Sequence, residues 1–99
     1  MNIVAVTACP TGIAHTYMAA EQLERAARRL GHRIKVETQG AMGIENELSA
    51  EDIRGAELVI LAADIAVQKR ERFAALKIVE VGVQEAIKNP DAVLGRPGK

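Results

Sequence analysis

Two short runs of apolar residues with almost no polar alternation, "IVAV" from Ile3 and "LVILAA" from Leu58, constrain this chain more than anything else in it. A strand that is apolar at every position has no face for water. It must be covered on both sides, as in a parallel sheet sandwiched between helices. The segment between the runs supplies such a cover. From about His15 to Leu30, the residues Ala19, Leu23, Ala26, Ala27 and Leu30 recur at helical spacing, while Glu21, Gln22, Glu24, Arg25, Arg28 and Arg29 fall elsewhere. Glu21 with Arg25 and Glu24 with Arg28 are i,i+4 pairs with the acid first, the better orientation. Gly31 follows as the C-terminal cap.

The remaining elements fit the same plan. "RIKVETQG" alternates Ile34, Val36 and Thr38 with polar residues and reads as a half-exposed edge strand ending at Gly40. "AMGIENEL" has turn signals and no period. Ser49 with Asp52 three residues on forms a capping box for a short helix "AEDIR", closed by Gly55. Leu58 to Ala63 is a central strand with Asp64 at its end, "KIVEV" a fourth strand, and "VQEAIKN" a last helix stopped by Pro90. The expected fold is α/β, a three-layer α/β/α sandwich with a four-stranded parallel sheet and a phosphate-binding loop after strand one. Residues 1–90 form a single domain and 91–99 a C-terminal tail or linker stub. Met1 directly before the first strand fits a chain that begins there, and "LGRPGK" leaves room for a continuation.

Composition narrows the function. The 13 basic side chains balance the 13 acidic ones, so no global field favours nucleic acid or an anionic membrane surface. Tyr17 and Phe73 are the only aromatics, which leaves no stacking platform for bases and little for a sugar ring. A sugar, if involved, is held by another chain or domain. No apolar run reaches the length of a signal peptide or a membrane span, so the expectation is a cytoplasmic protein. The single cysteine, Cys9, excludes an internal disulfide and a CxxC redox pair. No metal ligand set and no cofactor motif is visible, and none is expected.

Cys9 opens "CPTGIAHT", directly after the first strand and before the first helix. A lone cysteine can be core filler, but one placed before a proline and glycine loop, outside "IVAV", is better placed as a nucleophile. Loop amides and a helix N-terminus both favour negative charge, the dipole by up to about 2 kcal/mol in good geometry. A thiolate beside such amides is equipped to attack phosphorus while the amides hold the phosphoryl oxygens. A cysteine, five loop residues, a cationic residue and a hydroxyl is also the plan of the phosphate loop in cysteine-dependent tyrosine phosphatases, here Cys9, His15 and Thr16. Arginine, a permanent forked donor, is replaced by His15, and no Asp-Pro loop supplies a general acid. The site is better suited to holding a phosphocysteine than to hydrolysing one.

The chain resembles the fructose-type enzyme IIB domains of the bacterial phosphoenolpyruvate-dependent sugar phosphotransferase system (PTS). The resemblance rests on "CPTGIAHTYMAAEQLE", "KVETQGAMG", "LSAEDIRGAELVILAADIAV" and "ERF", in that order. It implies a phosphoryl carrier. Cys9 would accept a phosphoryl group from a phosphohistidine on a IIA domain and pass it to a fructose-like sugar imported by a membrane IIC domain. Pro10, Thr11, Gly12, Ile13, Ala14, His15 and Thr16 would bind the phosphoryl group, and the domain would meet the inner face of the membrane transiently through IIC. The chain departs from the family in "AVQKRERFAALKIVEVGVQ", where the family carries an acidic residue near Gln68 and a glycine near Ala75. The alternatives are a hydrolase like the low-molecular-weight tyrosine phosphatases and a redox-sensing regulatory module. The latter is disfavoured because no second cysteine can resolve a sulfenic acid.

Other residues carry paired readings. His15 either packs or caps the first helical turn or donates to a phosphoryl group. Asp64 either approaches Cys9 or caps a following turn. Thr11 and Thr16 suit capping as well as binding. Gly12 permits a backbone conformation closed to other residues. His32 is expected to be exposed, "QKRER" to be a solvated face, and Met18 and Met42 to belong to the core rather than to a docking rim.

Overall fold

In the computed structural model, residues 1–10 and 13–98 are described, without the Ile13 side chain. The chain runs β1 (Asn2–Ala8), α1 (Ile13–Arg29), β2 (Arg33–Gly40), β3 (Gly43–Glu45), α2 (Ala50–Arg54), β4 (Leu58–Ala63), a 3-10 helix (Arg70–Phe73), β5 (Lys77–Val81), α3 (Val83–Lys88) and α4 (Pro90–Leu94). The strands form one sheet in the order β3-β2-β1-β4-β5. β1 pairs in parallel with both β2 and β4, and β5 extends the parallel ladder beyond β4. The two apolar runs thus become neighbours at the middle of the sheet.

Each face of the sheet has its own cover. On one, Ile3, Ala5 and Ile60 meet Ala19, Leu23, Ala26 and Ala27 of α1, with Val83 and Ala86 of α3 and Val93 and Leu94 of α4. On the other, Val4, Val6, Val59 and Leu61 meet Leu48 and Phe73, with Ile53 of α2 at the margin. The expected three layers are present.

Among the described residues the sheet has five strands, not four. β3 is three residues long, too short for a period, and it pairs antiparallel with β2 through a turn in which Gly43 takes a left-handed φ of 88°. The Asn46 side chain donates to the Val36 carbonyl at 2.9 Å beside it. β2 is consequently internal rather than an edge, and its second face is not exposed: Glu37 and Gln39 are buried. Part of the stretch expected as a tail, 91–94, belongs to α4, whose Val93 and Leu94 are buried. Pro90 does two jobs there, ending α3 and occupying the first position of the next helix, where its missing N–H costs nothing. Arg29 at the end of α1 pairs with Asp91, so the two helices are tied by charge as well as by packing.

The helix ends follow their local codes. Gly31, at φ 79°, closes α1: its N–H donates to Arg28 at 3.2 Å and the His32 N–H to Ala27 at 2.8 Å, the paired bonds of a Schellman motif. Leu30 lies one residue beyond the helix and is exposed, three residues past Ala27, the last buried position of the stripe. At α2 both halves of the capping box form, with the Asp52 N–H donating to Ser49 Oγ at 3.1 Å and the Ser49 N–H to Asp52 Oδ2 at 2.8 Å. Asp52 also receives Lys35 Nζ from β2 at 2.7 Å. The Lys35 bond and the two Ser49 bonds hold its carboxyl down to about 2, from an ordinary value of 3.8.

A depressed carboxyl stabilises the fold above its unfolded value and loses that contribution as pH falls through the folded one. In urea unfolding, the stability advantage of the wild type over Asp52→Asn should therefore be full above pH 3.8 and shrink as pH approaches 2.

Candidate functional site

β1 lies where strand order reverses, with β2 on one side and β4 on the other. In an open parallel sheet the crevice beyond the carboxyl end of such a strand is the usual ligand site. Cys9 is the first residue past that end. Ala8 before it is fully enclosed, paired with Gln39 of β2 and Ala63 of β4, and its carbonyl accepts the Asp64 N–H at 2.9 Å. Cys9 itself is 4% exposed and touches the α1 side of the core.

α1 begins within four residues of Cys9, and its first turn carries no acidic side chain, so nothing there compensates the positive end of the helix dipole. Thr7 anchors that turn: its Oγ1–H donates to the Thr16 carbonyl at 3.0 Å, joining the end of β1 to the start of α1. Thr16 is buried beside Gly40, where an added Cβ would come within 3.4 Å of Thr16 Oγ1. That is an ordinary van der Waals distance, so the end of β2 and the start of α1 lie in contact. Of the other expected loop residues, Pro10, Ala14 and His15 are exposed, and Thr11 and Gly12 lie outside the described residues. His15 stands on the first turn of α1 with its side chain exposed.

Asp64 directly follows the last residue of β4. Its Oδ1 accepts the Val83 N–H at 3.2 Å and caps α3. Met18 and Met42 are surface residues, 48% and 68% exposed, and with Tyr17 and Ile65 they put an apolar rim on the end of the sheet that holds Cys9. Tyr17 donates to Glu45, a bond that raises its phenol above the ordinary value. His32 is half-buried rather than exposed, at the far end of the molecule.

The largest departure from the sequence reading is a buried polar cluster beside Ala8. Arg72, expected in a solvated run, donates from both guanidinium NH2 groups to Glu37, at 2.8 and 2.6 Å, and stacks its guanidinium 4.6 Å from the Phe73 ring centre. Glu37 also accepts the Leu48 N–H at 2.9 Å and Gln39 Nε2 at 2.7 Å. Burial pushes the Glu37 carboxyl up, but the bonds from Arg72, Gln39 and Leu48 outweigh it and hold it below the ordinary value. The available signal was the short polar alternation "VETQG", which means solvent on an edge strand and a hydrogen-bonded cluster on an internal one. Among the described residues, no group of three or more His, Cys, Asp or Glu side chains is arranged to hold a metal, and no helix is long and apolar enough to cross a membrane.

The chain is similar to known proteins over nearly its whole length. Residues 4–96 match the family model described as "PTS system, Lactose/Cellobiose specific IIB subunit". The chain is 55% identical over 95 residues to the "PTS system fructose-like EIIB component 2" of Escherichia coli, covering 96% of this chain and 90% of that one. It is 54% identical to the "Fructose-like PTS system EIIBC component" of the same organism, covering 94% of this chain and 20% of that longer protein. Among solved structures, a domain of the fructose-specific IIABC component of Borrelia burgdorferi superimposes with a TM-score of 0.89 at 47% identity, covering 93% of this chain and 88% of that one.

The buried ion pair makes a sharp stability test. Arg72→Ala leaves the Glu37 charge enclosed without its main partner, a loss of roughly 3–5 kcal/mol. Urea unfolding at neutral pH should show it, and the deficit should narrow in acid as Glu37 takes up a proton.

Proposed function

The chain belongs to the IIB family of the sugar phosphotransferase system, and from that premise we propose that Cys9 is the residue that carries the phosphoryl group. As a fructose-like IIB component it is part of a phosphotransferase. The observation that carries the assignment to Cys9 is its place at the carboxyl end of β1, at the switch in strand order and ahead of a helix whose first turn lacks acid.

The donor is a phosphohistidine on a IIA domain. The Cys9 thiolate attacks phosphorus, the S–P bond forms, the N–P bond breaks, and the imidazole leaves with its electron pair. Amides and hydroxyls of the segment from Pro10 to Thr16, with His15 as a donor, hold the phosphoryl oxygens. In the second step a hydroxyl of a fructose-like sugar bound on a membrane IIC domain attacks the same phosphorus. The O–P bond forms, its proton passes to a base on the acceptor side, and the thiolate is released. The domain works from the cytoplasm and meets the inner face of the membrane only through IIC. Relatives in which IIB is joined to C, or to A and C, in one polypeptide support that pair of partners. The rim of Met18, Met42 and Ile65 supplies apolar surface for docking.

Incubation with phosphorylated IIA followed by intact mass measurement tests the assignment. Wild type should gain one phosphoryl group, in a thiol-type linkage, and Cys9→Ala none. Hydrolysis of aryl phosphates by an unmodified wild type would make the protein a phosphatase instead.

A further inference from the structure

Resting on the reading of Cys9 as the carrier, we propose that Gln39 is a positioning residue for phosphoryl transfer, because its side chain pins the segment after β4 alongside the end of β1 from which Cys9 emerges. The segment from Asp64 to Gln68 has no regular structure, so no ladder holds it. It is fixed at its two ends. At the first, the Asp64 N–H donates to the Ala8 carbonyl and the Asp64 carboxylate caps α3. At the second, Gln39 Oε1 accepts the Gln68 N–H at 2.8 Å, and Gln39 Nε2 donates to the Gln68 carbonyl at 3.2 Å.

That reciprocal pair is what one peptide group offers another in a sheet. Gln39 sits beside Ala8 on one side and Ala63 sits beside it on the other, so the bond runs from β2 to the segment after β4 across the end of β1. The side chain does not reach this position unaided. Gln39 Nε2 is also held by Glu37, Glu37 is held by Arg72, and Arg72 Nε donates to the Lys69 carbonyl at 2.9 Å, one residue past Gln68. All three side chains are largely enclosed, which makes the bonds strong and leaves their geometry little freedom. Ile65 of the rim lies inside the pinned segment. The Gln39 side chain hydrogen-bonds to Glu37 and to the Gln68 main chain. It acts through backbone.

Gln39→Met keeps the volume and removes the bonds. Misplacement by an ångström can slow an oriented reaction by up to about a hundredfold, and a partial release of the segment should slow transfer from phosphorylated IIA to Cys9 by roughly tenfold in single turnover. The IIA concentration giving half the maximal rate should stay unchanged. Val93→Ala in α4, chosen to lower Tm by a comparable amount, should leave the rate at the wild-type value. In wild type, the Gln68 amide should be protected from hydrogen exchange, a measurement that needs no folded variant. Wild-type transfer by Gln39→Met, an equal slowing by Val93→Ala, a change confined to the half-saturating concentration, or an unprotected Gln68 amide would each overturn the inference. A wild type that accepts no phosphoryl group would overturn the Cys9 reading instead, and the exchange measurement separates the two failures.

Discussion

The rest of the structure depends on β1 being enclosed in every direction. Hydrogen bonded on both edges and covered on both faces, it has no tolerance for a slip, because a shift by one residue would exchange the side chains facing α1 for those facing Phe73. Its register is therefore fixed, and so is the point at which the chain leaves the sheet. Cys9 inherits its position from that constraint. The thiol sits at the first residue where the ladder ends and backbone amides become available for something other than a strand.

The same enclosure explains which parts of the fold could be read from residue patterns. β1 and β4 announce themselves by unbroken apolarity, α1 by its alanine and leucine stripe, and α2 by the Ser49 and Asp52 box, all features whose physical cause is local. β3 escapes because three residues cannot display a period and its pairing is decided by a turn. Once β3 is missed, β2 is taken for an edge, and Glu37 and Gln39 are assigned to water. α4 escapes for a different reason. Proline and glycine near it resemble loop punctuation, whereas Pro90 in fact opens a helix that Val93 and Leu94 secure against α1.

At the candidate site, Cys9 was legible because its neighbours in sequence are also its neighbours in space. The supporting residues come from farther away. Thr7 reaches Thr16, which lies against Gly40 of β2, while Arg72 crosses 35 residues to meet Glu37. A charged run such as "QKRER" has no local feature that marks one arginine of the set for burial. Only the carboxylate waiting on β2 does that. The exposure of Met18 and Met42 is likewise a consequence of which elements cover which face, and a methionine on its own says nothing about it.

The contact between Gln39 and Gln68 is made entirely with the main chain of the latter, whose own side chain is exposed. Any amino acid except proline presents the same N–H and C=O. At Gln68 the path of the chain is thus independent of the side chain, so that residue can be exchanged without redrawing the route past Cys9, whereas Asp64 and Val67 hold the same segment by their side chains. A geometry written in one amide side chain on β2 leaves the outward face of Gln68 open to substitution, which is the condition under which a scaffold can vary its recognition there while the route of its chain stays in place.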